Sequence, residues 1–128
     1  HVISLHVPLT EKTRKMIGAS ELVKMKNDSF LINTSRGGVV DEDALAAALA
    51  SAQLRGAAID VFENEPYVGP LAGLDNCLLS CHMGSMSEDC RSRMELEATE
   101  EAIRLLANEQ LQNVVPDYEY ILQNETRV

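Results

Sequence analysis

Hydrophobic and polar positions alternate in blocks along this chain rather than in one continuous pattern. Val2-Ile3-Ser4-Leu5-His6-Val7 is short, apolar and rich in β-branched residues, which predicts a buried strand stopped by Pro8. Pro8 to Gly18 reads as a loop, and Ser20 is placed to cap a short helix over Glu21 to Met25. Ser29-Phe30-Leu31-Ile32-Asn33 predicts a second strand, followed by the polar turn Thr34-Ser35-Arg36-Gly37-Gly38. Asp41 caps a predicted helix, Glu42 to Ala50, made largely of Ala and Leu. Gly56 to Phe62 predicts a third strand bounded by Glu63-Asn64-Glu65-Pro66, then a loop over residues 67–75 and a short fourth strand, Cys77-Leu78-Leu79-Ser80. Ser85 and Glu88 form an S-x-x-E pattern that predicts the start of a long helix reaching about Ala107. Its apolar positions Cys90, Met94, Ala98, Ala102 and Leu106 recur every fourth residue, flanked by Ile103 and Leu105, which predicts one buried stripe and one charged face. From Asn108 onward no period is evident, and 108–128 reads as a tail or a connection.

Strands that alternate with helices and are apolar on both faces predict an α/β fold, a parallel sheet with helices on each side. Ligands of such sheets bind beyond the carboxyl ends of the strands. The loops there, Pro8 to Thr13, Thr34 to Gly38, Asp60 to Pro66 and Cys81 to Ser85, hold nearly all the suggestive polar residues.

Composition narrows the picture. The 128 residues fit one domain, and with 45% hydrophobic but only 4% aromatic residues its core has to be aliphatic. No apolar run reaches the roughly 20 residues of a membrane span. The net charge of −9 speaks against binding a nucleic-acid backbone or an anionic membrane surface. Cys77, Cys81 and Cys90 are an odd number without CxxC spacing, which argues for reduced thiols in a cytoplasmic setting and against a disulfide framework or zinc. The chain starts at His1 inside a predicted strand, which suggests a piece of a longer protein.

Three side chains could carry chemistry. The planar guanidinium of Arg36, just past strand 2, can grip a carboxylate through two parallel hydrogen bonds, and the adjacent glycines would let backbone approach a ligand; an exposed arginine in an ordinary turn reads equally well. His82 follows strand 4 and can exchange a proton near neutral pH. Glu65 lies on a loop at the same sheet edge, where a carboxylate on the second ring nitrogen would orient the imidazole and favour its charged form. Asp60, near the end of strand 3, could accept from an amide or simply cap the next turn. His6, within strand 1, reads as a packed or hydrogen-bonded core residue.

Taken in order, Val7-Pro8-Leu9-Thr10, Asn33-Thr34-Ser35-Arg36-Gly37, Asp60-Val61-Phe62-Glu63-Asn64-Glu65-Pro66 and His82-Met83-Gly84 resemble the NAD-dependent D-isomer-specific 2-hydroxyacid dehydrogenases over residues 1–107. The resemblance implies the second half of a Rossmann-type dinucleotide-binding domain. By the same resemblance Arg36, Glu65 and His82 are catalytic. Pro8, Thr10, Thr34, Ser35, Arg36, Asp60, His82 and Gly84 would line an NAD pocket, with Asp60 at the nicotinamide carboxamide. It implies hydride transfer between nicotinamide and a small 2-hydroxy or 2-keto acid, and a homodimer. Two departures stand out. The Gly-x-Gly-x-x-Gly loop and the acidic ribose reader are absent, which leaves NADP open beside NAD, and Cys81 stands where the family usually has proline before the histidine. Because the family's fold also serves transcriptional corepressors, a non-enzymatic NAD-sensing protein is the alternative. Without the pyrophosphate loop, the 128 residues alone are expected to fold at least partly but not to catalyse.

Overall fold

The structure, a computed structural model, describes residues 1–116. They fall into two compact units, His1–His82 and Met83 onward. In the first, β1 (Val2–Leu5), α1 (Ala19–Leu22), β2 (Phe30–Asn33), α2 (Glu42–Ala50), β3 (Gly56–Ile59) and β4 (Cys77–Leu79) alternate, with a 3₁₀ turn at Pro70–Gly73. The four strands form one parallel sheet in the order β1-β2-β3-β4. The expected α/β architecture is therefore present, and all four strand-end loops lie along one edge of the sheet.

β1 and β3 are shorter than the sequence predicts, for one reason. Leu5 pairs with Asn33, and Asn33 with Ile59, so the ladder stops where Asn33 leaves it. The Asn33 side chain turns back on its own loop: its Oδ1 accepts from Ser35 N (3.1 Å) and Ser35 Oγ (2.8 Å), and its Nδ2 donates to the Arg36 carbonyl (3.1 Å). This Asx-type turn removes the partner that residues beyond Leu5 would need. His6 consequently lies outside the strand and is exposed, hydrogen-bonded to Ser4 Oγ at 2.8 Å, rather than packed in the core.

Only one face of the sheet in this unit is covered. Each crossover steps in the same direction across the sheet, and connections of one hand then lie on the same face. The face bearing Leu5, Leu31, Asn33, Ala57 and Ile59 is buried with Leu22, Leu45, Leu49 and Leu71 from the covering segments. Val2, Phe30 and Leu78 alternate onto the other face and are 62%, 39% and 71% exposed. Within the unit His1–His82 the flanking helices lie over the first face, because an apolar strand shows which positions can be buried, not what covers them.

The helix starts follow local chemistry. Asp41 caps α2 as expected, accepting from Ala44 N at 3.1 Å. α1 begins at Gly18 instead of Ser20: the Glu21 carboxylate reaches back to Gly18 N (3.2 Å), while Ser20, inside the first turn, donates its hydroxyl to Glu21 (2.8 Å). In the second unit, α3 (Glu88–Leu106) is capped by Ser87, which accepts from Cys90 N at 3.3 Å, two residues later than the S-x-x-E pattern suggests. The predicted buried stripe is not realised. No residue of α3 is buried, and Met94, Ile103 and Leu106 are 54%, 59% and 84% exposed. The ion pairs Arg91–Glu95 and Arg104–Glu100 run along it at helical spacing. None of the described helices is long and apolar enough to cross a membrane. Residues 117–128 of the proposed tail lie outside the described residues.

Candidate active site at the carboxyl edge of the sheet

Past β3 the chain turns sharply so that Glu65 folds back on its own loop. Its Oε1 accepts from Phe62 N at 3.0 Å, and its Oε2 meets His82 Nδ1 at 3.1 Å. The Phe62 amide, and after it His82, hold the Glu65 carboxyl below the ordinary glutamate range. The pair the sequence suggested is thus in place, with the Glu65–Pro66 peptide cis between its two anchors. Both side chains are well exposed, so their contact orients the ring more than it stabilises the fold.

His82 adopts a left-handed backbone (φ 54°) and donates its N–H to the Asp60 carbonyl at 2.8 Å. That conformation is uncommon outside glycine, and here the surrounding hydrogen bonds enforce it. Asp60 is buried, its N–H held by the Asn33 carbonyl (3.0 Å) and its Oδ1 accepting from Ser80 Oγ (2.6 Å). A cavity of about 420 Å³ opens beside the pair, walled by Phe62, Tyr67, Leu79 and Ser80 with Glu65 and His82. Phe62 and Tyr67 stack there at 4.3 Å. Cys77, Cys81 and Cys90 are free thiols, and burial pushes the Cys77 thiol up to about 11.

Arg36 is exposed in the turn after β2, its guanidinium donating to the Ser35 carbonyl at 2.6 Å. β3 lies between β2 and β4, so the strands that lead to Arg36 and His82 are two strand spacings apart, about 10 Å. Gly37 ties the two loops together, although the approach it permits is to protein and not to a ligand. A Cβ there would sit 1.9 Å from the Phe62 carbonyl oxygen. Gly38 serves differently, adopting φ 76°. Pro8 and Thr10 lie on the loop after β1, where Thr13 Oγ1 donates to the Pro8 carbonyl (2.7 Å) and accepts from Thr10 N (2.7 Å). Thr34 is exposed and Ser35 half-buried beside Arg36; Gly84 stands in the 3₁₀ turn Met83–Ser85 of the second unit.

Sequence reasoning did not single out Asn33 and Ser80, which hold the site in shape. An Asn two residues before a Ser at a strand end is a readable turn signal. Nothing in the sequence links Ser80 to Asp60, 20 residues away.

At this edge the buried Asp60, whose carbonyl accepts from the His82 N–H, lies next to a histidine paired with a glutamate. Residues 1–84 match the family described as D-isomer specific 2-hydroxyacid dehydrogenase, NAD binding domain. A glyoxylate reductase from Korarchaeum cryptofilum (strain OPF8) is 46% identical over 115 residues, 88% of this chain and 35% of the relative. The D-3-phosphoglycerate dehydrogenase of Escherichia coli (strain K12) is 45% identical over 113 residues, 84% of this chain and 28% of its own. Among solved structures, D-lactate dehydrogenase with NAD+ from Lactobacillus jensenii superposes with a TM-score of 0.80 at 29% identity, covering 90% of this chain and 39% of that one. The chain spans 22–35% of the length of such curated relatives. By the match over residues 1–84 and the parallel sheet that carries it, the chain belongs to the D-isomer specific 2-hydroxyacid dehydrogenases, as part of their NAD binding domain.

Proposed function

We propose that these residues serve, within a longer polypeptide, as the nicotinamide-side half of an NAD-dependent oxidoreductase acting on a small D-2-hydroxy or 2-keto acid. The observation that carries the reading is the Glu65–His82 pair at 3.1 Å on the carboxyl edge of the parallel sheet. A bound reduced nicotinamide supplies the hydride. His82 gives the proton to the oxygen at C2 in reduction and takes it back in oxidation. Glu65 fixes the ring through Nδ1, leaving Nε2 for that proton. The Arg36 guanidinium pairs with the substrate carboxylate and polarises its carbonyl, orienting the acid and stabilising the developing oxyanion. Asp60 accepts from the carboxamide, and Pro8, Thr10, Thr34, Ser35 and Gly84 line the cofactor side. Residues 1–107 form the second half of the dinucleotide-binding domain and 108–128 a tail or a connection to a substrate domain; the protein works as a cytoplasmic homodimer.

The test is oxidation of NADH, and in parallel NADPH, by the full-length protein with glyoxylate, pyruvate and 3-phosphohydroxypyruvate. Turnover of at least one acid, lost in His82→Gln, is expected. Saturable cofactor binding without any turnover would instead identify a non-enzymatic NAD-sensing protein.

A further inference from the structure

We propose that Glu42 is a positioning residue for the acid–base pair, acting through the loop that carries Glu65; the inference rests on the reading that Glu65 and His82 serve the proton transfer. Glu65 orients the imidazole only as well as its own backbone is held. Its Oε1 accepts from Phe62 N at 3.0 Å and its Oε2 meets His82 Nδ1 at 3.1 Å, so its aim depends on the path of residues 62–65. That stretch lies in neither helix nor strand. In its middle, Glu63 N donates to Glu42 Oε1 at 2.7 Å, across 21 positions of sequence. Such a length is that of a hydrogen bond to an ionised acceptor.

The other end of this contact makes it an anchor. Glu42 opens α2, whose start Asp41 caps at 3.1 Å and whose Leu45 and Leu49 are buried in the core. The helix is thereby fixed against the sheet, and the Glu42 side chain carries that fixed position across to the loop. Glu42 is half-buried there, whereas Asp43 beside it is exposed. The loop's other contacts are of a different kind. Gly37 packs against the Phe62 carbonyl, which limits how the loop approaches but directs no hydrogen bond. Arg14 reaches the Glu63 carboxylate at 3.7 Å with both side chains well exposed, so that pair contributes little. The donor of the Glu42 bond is backbone, so the bond depends on what stands at position 42.

The experiment follows NADH affinity and the single-turnover rate of NADH oxidation by glyoxylate, pyruvate or 3-phosphohydroxypyruvate in the full-length protein. The variants are Glu42→Ala, Glu42→Met and Glu42→Gln, with Glu42→Ala and Glu42→Met also made on top of Glu65→Ala. Glu42→Ala is expected to slow the turnover step about 10-fold, the range of one lost hydrogen bond to a charged group, with NADH affinity kept within about twofold. Glu42→Met keeps the length and the helix propensity without the oxygen, and is expected to match it. Glu42→Gln keeps an acceptor oxygen and is expected within about threefold of the wild type. Because Glu42 acts through Glu65, either apolar variant is expected to cost less than about a further twofold in the Glu65→Ala background. Thermal melting of each variant checks that the fold is kept, and Glu42→Met carries the test where Glu42→Ala does not fold. An equal loss with and without Glu65 would mean that Glu42 only supports the fold, and would overturn the inference. So would an unchanged rate in the folded apolar variants, or a Glu42→Gln as slow as they are. A wild type that reduces none of the three acids would overturn the proposed function, and this inference with it.

Discussion

One carboxylate, Glu65, serves two donors, and its consequences at the residue scale can be separated. Its carboxyl titrates below the ordinary glutamate range because the Phe62 amide and His82 favour the charged form. A folded value below the unfolded one contributes stability above the unfolded value, lost as pH falls through the folded one. The urea midpoints of wild type and Glu65→Gln are therefore expected to differ at neutral pH and to converge in acid. A gap that persists at the lowest pH would place the effect elsewhere. In the full-length protein the same variant is expected to lower kcat/KM about 10- to 100-fold, since the ring loses the partner that fixes it. Arg36→Lys removes the two-pronged geometry while keeping the charge, and a loss of about 10- to 100-fold in kcat/KM is expected. A near-normal value would remove Arg36 from the site.

At the scale of elements, two loops and one helix start hold the site. Gly37 lies against the Phe62 carbonyl with no room for a Cβ, so Gly37→Ala has to push the Arg36 turn away from the Glu65 loop. Backbone cannot yield as a side-chain tip does, and a loss of about 2–4 kcal/mol by chemical denaturation is expected. Loss of less than about 0.5 kcal/mol would show that the two loops are not in this contact. Asp41 is the milder case. It caps α2 through Ala44 N and pairs with Lys15 at 3.3 Å, so Asp41→Ala is expected to cost about 1 kcal/mol. Its carboxyl is also held low, first by the Ala44 amide, so that difference too shrinks in acid.

For the molecule as a whole, the sheet decides behaviour more than any one side chain. β1 is an edge strand, and the face carrying Val2, Phe30 and Leu78 is open in the unit His1–His82. Exposed strand edges and apolar faces recruit other chains. The 128-residue polypeptide is expected to self-associate at micromolar concentration in sedimentation velocity, and Val2→Lys with Leu78→Lys to shift it toward monomer. A wild-type chain that stays monomeric would show the surface to be inert.

Much of this was written in the sequence. The four strands, α2 with its Asp41 cap and the long α3 are local events, specified by β-branched runs, an alanine-rich stretch and a capping side chain. The four polar loops and the parallel sheet follow from strand–helix alternation, and the ordered motifs around Arg36, Asp60, Glu65 and His82 carried the family. Tertiary structure decided what depends on partners distant along the chain. Asn33 ended three strands at once by closing its own turn, His6 fell outside the ladder as a result, and Gly37 proved to meet Phe62 and not a ligand. The stripe on α3 stayed exposed, because periodicity records which face could be buried and not whether anything buries it. The bond from Ser80 to Asp60 exists only because β3 and β4 are neighbours in the sheet, a proximity that residues 20 positions apart do not announce.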